Sequence, residues 1–306
     1  MEFLMTMTKR LLLALLFTVL LCLNVKAEDK LGTRKNPIKI YFTPSIDTNT
    51  ITTTSNLFVK FMEKETGYFF KSGIPSNYIT VVEAFGSNRA DIAVINSFGY
   101  LLTNSKYGAE ARLKTLRHGK DSYNGAFMVH ADSGIKTLKD LNGKRFAFTD
   151  ASSTSGYLFP LKILNDNKIK LGNTVFAGKH DTVVTMIYQK QVDAGAVFYA
   201  DPFDGKIEDA REKVSTQFPD VEKKVVIIKL TDPIPNDPFI FRKGLPEEIT
   251  QSFIKGLTKF LATKDGKESF RIIYGLDGIV PATDRDYDGL RHVLKSTNTD
   301  AGQLIK

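Results

Sequence analysis

Two periodicities take turns along the chain, one of two residues and one close to 3.6, and their order outlines the fold. Ile38-Lys39-Ile40-Tyr41-Phe42 alternates and reads as a strand that closes at Thr43-Pro44-Ser45. Leu57, Phe58, Phe61 and Met62 then share a helical face that stops before Gly67. The pattern weakens between Tyr68 and Ser76 and resumes as a helix through Tyr78, Val81, Val82 and Phe85. Asp91-Ile92-Ala93-Val94-Ile95 follows, a short apolar run that predicts a buried parallel strand. Further strands are expected at Ala126 to Val129, Arg145 to Thr149, Asp193 to Phe198 and Val225 to Leu230, with a strand and loop over Val175 to Asp181. Helical patterns lie at Leu138 to Gly143, Leu158 to Leu164, Val183 to Tyr188, Ile207 to Phe218, Phe253 to Leu261, Phe270 to Tyr274 and Tyr287 to Leu294. Strand, turn and helix recurring in this way predict an α/β fold. Between Thr231 and Phe239, Pro233, Pro235 and Pro238 enforce an extended, stiff segment suited to a crossing between lobes.

One of the strand-to-helix turns is overloaded with hydroxyls. Asp150-Ala151-Ser152-Ser153-Thr154-Ser155-Gly156-Tyr157 precedes a helix whose face is Leu158, Leu161, Ile163 and Leu164, with Pro160 tolerable because it falls near the helix start. A helix cap needs one such side chain, and four in a row before a glycine exceed it. That surplus, beside free N–H groups that favour negative charge, points to an anion cradle, with an ordinary capped helix as the alternative. Asn96-Ser97-Phe98-Gly99-Tyr100 stands at the carboxyl end of a strand, where the ligand crevice of an α/β sheet opens, or else caps the next helix. His180 begins a helix after an apolar strand, where it can donate to an anion or serve as a capping or surface imidazole.

Composition refines this picture at the N-terminus. The 306 residues are 42% hydrophobic and 25% charged, enough for one large or two ordinary domains. Lys9 and Arg10 precede an apolar run from Leu11 to Leu23 that ends in Val25-Lys26-Ala27, the pattern of a secretory signal cleaved after Ala27. The single cysteine, Cys22, lies inside that run, so a mature chain has neither disulfides nor a thiol nucleophile, and bulky Leu21 disfavours lipidation at Cys22. Loss of Lys9, Arg10, Lys26 and Glu2 lowers the net charge from +8 to about +6. The excess is spread without basic blocks, so it suits a small anion and does not describe a nucleic-acid surface.

Other chemistries lack their motifs. Gly172 to Lys179 has one residue too many between its glycines for a nucleotide loop, and His180 stands where a metal-binding hydroxyl belongs. Gly-x-Gly-x-x-Gly and Gly-x-Ser-x-Gly are absent. His118, His130, His180 and His292 are far apart, and no pair has metal-ligand spacing, so neither a metal nor another cofactor is expected.

Asp91-Ile92-Ala93, Asp132-Ser133-Gly134-Ile135, Leu138 to Lys144, Ser152-Ser153-Thr154-Ser155-Gly156-Tyr157, His180-Asp181, Val192-Asp193-Ala194 and Asp232-Pro233-Ile234-Pro235-Asn236-Asp237-Pro238 follow one another in an order that resembles the phosphonate-binding proteins of ABC importers, a family that includes phosphate and phosphite binders. The resemblance runs from about Ile38 to Tyr287. It implies a two-lobed type II periplasmic binding protein with two hinge crossings; after the signal peptide at 1–27, one lobe is expected from 28–128 plus 235–306 and the other from 129–234. It also implies that Ser153, Thr154 and Ser155, Tyr78 and Tyr123 from the facing lobe, His180 and Asp237 hold the oxyanion, without a metal or an arginine clamp. Asn96, Ser97 and Tyr100 are further candidates, and Asp201 would match an acid found in aminoalkylphosphonate binders after a shift of one residue. The implied protein is a monomeric, non-catalytic periplasmic receptor that partners an inner-membrane permease. The alternatives are a sensor subunit for a membrane kinase or an enzyme on a phosphorylated substrate.

Overall fold

A computed structural model of the chain describes residues 29–297, so the signal-peptide segment lies outside the described residues. The expected alternation appears as two sheets. In the first, β1 (Ile38–Phe42) lies parallel to β2 (Phe70–Gly73) on one side and to β3 (Ile92–Val94) on the other. The sheet continues through β11 (Pro238–Phe241), β4 (Glu110–Leu116) and β12 (Gly278–Pro281), all antiparallel pairings. Helices α1 (Thr48–Thr66), α2 (Tyr78–Gly86) and α3 (Ser97–Tyr107) connect its strands. The weak stretch after Tyr68 thus contains an edge strand, held by pairing with β1 and not by a face of its own.

The second sheet sets β7 (Thr174–Phe176), β6 (Phe146–Phe148) and β8 (Ala194–Tyr199) parallel, then β5 (Ser122–His130) antiparallel to β8. Beyond β5 lie β9 (Val225–Leu230) and β10 (Ile234–Pro235). Helices α4 (Phe159–Asp166) and α5 (His180–Tyr188) cover it, and the single turn α6 (Val221–Lys224) precedes β9. Helices α7 (Glu247–Ala262), α8 (Lys264–Tyr274) and α9 (Asp288–Ser296) close the chain, and α7 and α8 pack on the first sheet.

The two lobes have differently built cores. Phe58 of the first lies within 5.2–6.2 Å, centroid to centroid, of Phe42, Phe253, Phe260 and Phe270 in edge-on contacts. The second is filled largely by Ala126, Ala147, Val183, Val184 and Val197 on one face and by Phe127, Phe146 and Ala196 on the other.

Two expectations need correction. The first crossing does not follow residue 128: Ser122–His130 is one continuous strand of the second sheet, so the chain changes lobes over 117–121 and returns over 236–237. Polar Ser122 and Asn124 are kept in that strand by pairing with β10 and β8. The charged helix expected over Ile207 to Phe218 is reduced to a short 3-10 turn at Glu212–Val214. There the Asp209 carboxylate accepts from the Arg211 backbone N–H, Nε and Nη2, a local alternative that displaces helical bonding.

The crossings are stitched together by buried Asn236. Its N–H donates to Asp121 O at 2.9 Å, and its Nδ2 donates to Thr115 O and Lys120 O, each at 2.9 Å. In the first crossing Arg117 and Lys120 exchange both backbone hydrogen bonds around His118 (φ 47°) and Gly119 (φ 75°), a two-residue turn with both central φ angles positive.

Candidate functional site

Four helix starts converge between the lobes. Asn77 caps α2 so that Tyr78 is its first residue, and Asn96 caps α3 by accepting from Gly99 N at 2.9 Å. From the other lobe, Ser153 caps the cradle helix by accepting from Gly156 N at 3.1 Å, and His180 opens α5. The cradle's first turn, Thr154–Leu158, is π-helical: Leu158 N–H takes the Ser153 carbonyl, which in an α-helix would serve Tyr157. One more amide than usual is thereby left outside the helical ladder. Gly156 allows this turn to close, because a Cβ there would collide with the Thr149 hydroxyl.

Between these helix starts lies a cavity of about 40 Å³. Tyr78, Asn96, Arg117, Tyr123, Ser153, Ser155, His180, Asp237 and Tyr274 are on its walls. Tyr78 Oη, Asn96 Nδ2 and Asp237 Oδ1 are buried there without a hydrogen-bond partner among the described residues. Such atoms are costly unless something in the cavity satisfies them.

Protonation states follow from burial. His180 is pushed down to about 3 by burial, with the Arg117 cation adding to the shift, so the ring is neutral at physiological pH. Its Nδ1 accepts from Phe198 N at 3.2 Å, which places the ring proton on Nε2, the donor left for the cavity. Burial raises the Asp237 carboxyl to about 6, while Arg117 pulls the other way. Burial, and after it nearby carboxylates, raises the Tyr78 and Tyr123 phenols, which therefore remain neutral donors. Two hydroxyls, a neutral imidazole, phenols, an amide and helix N-termini are a set of donors whose chemistry suits an oxyanion better than a cation. Among the described residues no group of three or more His, Cys, Asp or Glu could hold a metal ion.

Comparison with known proteins agrees with this geometry. The sequence model of the family described as "ABC transporter, phosphonate, periplasmic substrate-binding protein" matches residues 40–287. The chain belongs to this family. It is 27% identical over 268 residues to the phosphate-import protein PhnD of Mycolicibacterium smegmatis, covering 79% of this chain and 80% of that one. It is 28% identical over 199 residues to the phosphonates-binding periplasmic protein of Escherichia coli, covering 62% of this chain and 56% of the relative. Its fold matches PhnD1 of Prochlorococcus marinus in complex with methylphosphonate, with a TM-score of 0.73, 17% identity, and 85% of this chain and 98% of that one covered. This is the fold of type II periplasmic binding proteins. The chain is the periplasmic substrate-binding component of an ABC phosphonate transporter, working with a membrane permease, in a family of binding proteins rather than enzymes.

In this binding protein the predicted residues divide. Tyr78, Tyr123, Ser153, Ser155, His180, Asp237 and Asn96 meet at the cavity. Tyr123 belongs to β5 in the cradle's own sheet and not to the facing lobe. Thr154 is fully buried and bridges the lobes: its Oγ1 donates to Asn96 Oδ1 at 3.0 Å and accepts from Phe98 N at 2.9 Å. Ser97 and Tyr100 lie off the cavity, the one donating to Pro235 O at 2.9 Å and the other to Asp284 Oδ1 at 2.6 Å. Asp201 is exposed and pairs with Lys120 at 2.5 Å, outside the cavity. Sequence reasoning missed Arg117, Thr43, Ser45 and Tyr274, which also line it. Arg117 and Tyr274 sit in no motif and are brought in by the hinge turn and by the end of α8. Ser45 could have been found as the polar residue after the first strand.

Proposed function

We propose that this protein captures a phosphorus oxyanion, a phosphonate, phosphite or phosphate, between its two lobes and presents it to the permease. The observation that carries the reading is the set of buried, unpartnered polar atoms, Tyr78 Oη, Asn96 Nδ2 and Asp237 Oδ1, facing the same cavity as Ser153, Ser155 and His180. The oxyanion accepts from Ser153, Ser155, His180 Nε2, Tyr78 and the free amides of the cradle turn. Hydrogen bonds to a charged group contribute roughly 1.5–3 kcal/mol each, so five or six of them reach the about 8 kcal/mol that micromolar binding needs. Asp237, mostly ionised at neutral pH, accepts a proton from a protonated phosphorus oxyanion, whereas sulfate brings none. Closure is hinge motion about 117–121 and 236–237, favoured because the ligand contacts both lobes.

The test is a thermal-shift and calorimetric panel of phosphate, phosphite, methylphosphonate and sulfate, since a ligand that binds the folded state alone raises its stability. At least one phosphorus oxyanion should raise the melting temperature and sulfate should not. A protein stabilised by sulfate alone, or by none of the four, would contradict the proposal.

A further inference from the structure

Arg117 is a charged residue of the cavity that the oxyanion reading did not call for. Its position is fixed twice: its backbone by the tight turn with Lys120, and its guanidinium by the rings of Tyr123 and Phe198, whose centroids are 5.3 and 5.9 Å from its central carbon. Gly275, at φ +64°, makes room for it, because a Cβ there would collide with Nη1. Arg117 Nε is buried without a hydrogen-bond partner, and among the described residues no carboxylate forms an ion pair with the guanidinium. The acids at the cavity rim already have cationic partners, Glu208 in Arg271 (3.5 Å) and Glu212 in Lys213 (2.7 Å). Asp201, the acid that could meet a ligand ammonium, is turned outward to Lys120 and lines a separate depression beyond Arg117 and Tyr123. The cavity itself holds about 40 Å³.

We infer that Arg117 binds the ligand directly and restricts it to compact phosphorus oxyanions whose substituent carries no cation: phosphate, phosphite or a short unaminated phosphonate. The inference rests on the phosphorus-oxyanion reading and narrows it. An unpaired guanidinium on the wall supplies the countercharge that the hydroxyls, the neutral imidazole and the phenols cannot, and it opposes an ammonium brought into the same small space. Asp237, whose Oδ1 lacks a hydrogen-bond partner and whose charge Arg117 attracts, is the group through which an aminated ligand would have to bind against Arg117.

The experiment is calorimetric titration of the exported protein, and of its Arg117→Gln, Arg117→Lys and Ser155→Ala variants, with methylphosphonate, ethylphosphonate and 2-aminoethylphosphonate. The ligand-free melting temperature of each variant is recorded alongside. Ethylphosphonate matches the aminated ligand in length and separates charge from size. Wild type should bind ethylphosphonate about tenfold or more tightly than 2-aminoethylphosphonate, and methylphosphonate at least as tightly as ethylphosphonate. Arg117→Gln should weaken methylphosphonate about ten- to hundred-fold and shrink the ethyl-to-aminoethyl ratio, and Arg117→Lys should restore part of both. A packing role alone would leave that ratio unchanged. Equal wild-type affinity for the two C2 ligands, or a folded Arg117→Gln protein with unaltered affinity and ratio, overturns the inference. If Arg117→Gln fails to fold, the wild-type ratio and the lysine variant decide. Should Ser155→Ala weaken methylphosphonate while Arg117→Gln does not, this inference alone falls. If wild type binds none of these three but binds phosphate or phosphite, the loss on Arg117→Gln is read with that anion; if it binds none of the five, the oxyanion reading falls with it.

Discussion

The two walls of the cavity are built in opposite ways. On the cradle side, Ser153 and Ser155 are two positions apart in one turn and His180 starts the next helix, all short or neutral groups placed by local capping. On the other side, Tyr78, Arg117, Asp237 and Tyr274 come from four separate stretches, are long or ionisable, and converge only through the hinge and the packing of the first lobe. The difference separates two tasks. On the proposed function, the cradle wall supplies donors at fixed positions, whereas the opposite wall responds to the charge and protonation of the ligand.

This contrast can be broken at its strongest point by Ser155→Ala. It should cost about 1.5–3 kcal/mol of binding, ten- to hundred-fold in calorimetric affinity, and leave the ligand-free melting temperature nearly unchanged. Thr154→Val probes closure instead of contact. Phe98 N–H loses its acceptor when the lobes meet, so affinity should fall by about 1–3 kcal/mol, by a similar factor for every ligand that binds.

A third test uses pH. The folded carboxyl of Asp237 keeps its proton up to about 6 and the unfolded one releases it near 3.8, so this group favours the folded state at low pH and that contribution fades as pH rises through about 4 to 6. His180 acts in the opposite sense: unfolded imidazole binds a proton below about 6.5 and the folded ring only below about 3, so its contribution is present at higher pH and is lost as pH falls. Between about pH 4 and 6 the two slopes offset each other. Asp237→Asn should uncover the histidine slope, with ligand-free stability falling toward acid by at most about 1.4 kcal/mol per pH unit. Urea titrations across pH 4 to 6 measure it, and a variant with the wild-type slope would contradict the assignment. The smallest effect is expected from Ser153→Ala on ligand-free stability, about 1 kcal/mol for a lost cap, seen as a lower urea midpoint.

The same contrast explains what the sequence made legible. Capping is local, so the hydroxyl-rich turn, Asn96 and His180 could be recognised from residue order, and the strand–helix alternation outlined both sheets. Arg117 could not, because nothing in its neighbours announces that a turn with two positive φ angles will aim it inward. Thr154 carries the same signal as Ser153 and Ser155, and only the meeting of the lobes assigns its hydroxyl to Asn96 and Phe98. The lobe boundary was misplaced for a related reason: the apolar run of β5 starts at Ala126, while its polar beginning is fixed by partners more than 70 residues away.

The four helix starts have one more consequence. Each carries the equivalent of roughly half a positive charge, and two belong to either lobe. Bringing the lobes together therefore presses like poles against one another, and work is stored in the closed shape. An anion between them cancels that opposition, and its departure restores it. On that argument an empty cleft leans toward opening, and the lean is set by the backbone at four helix starts and by no side chain.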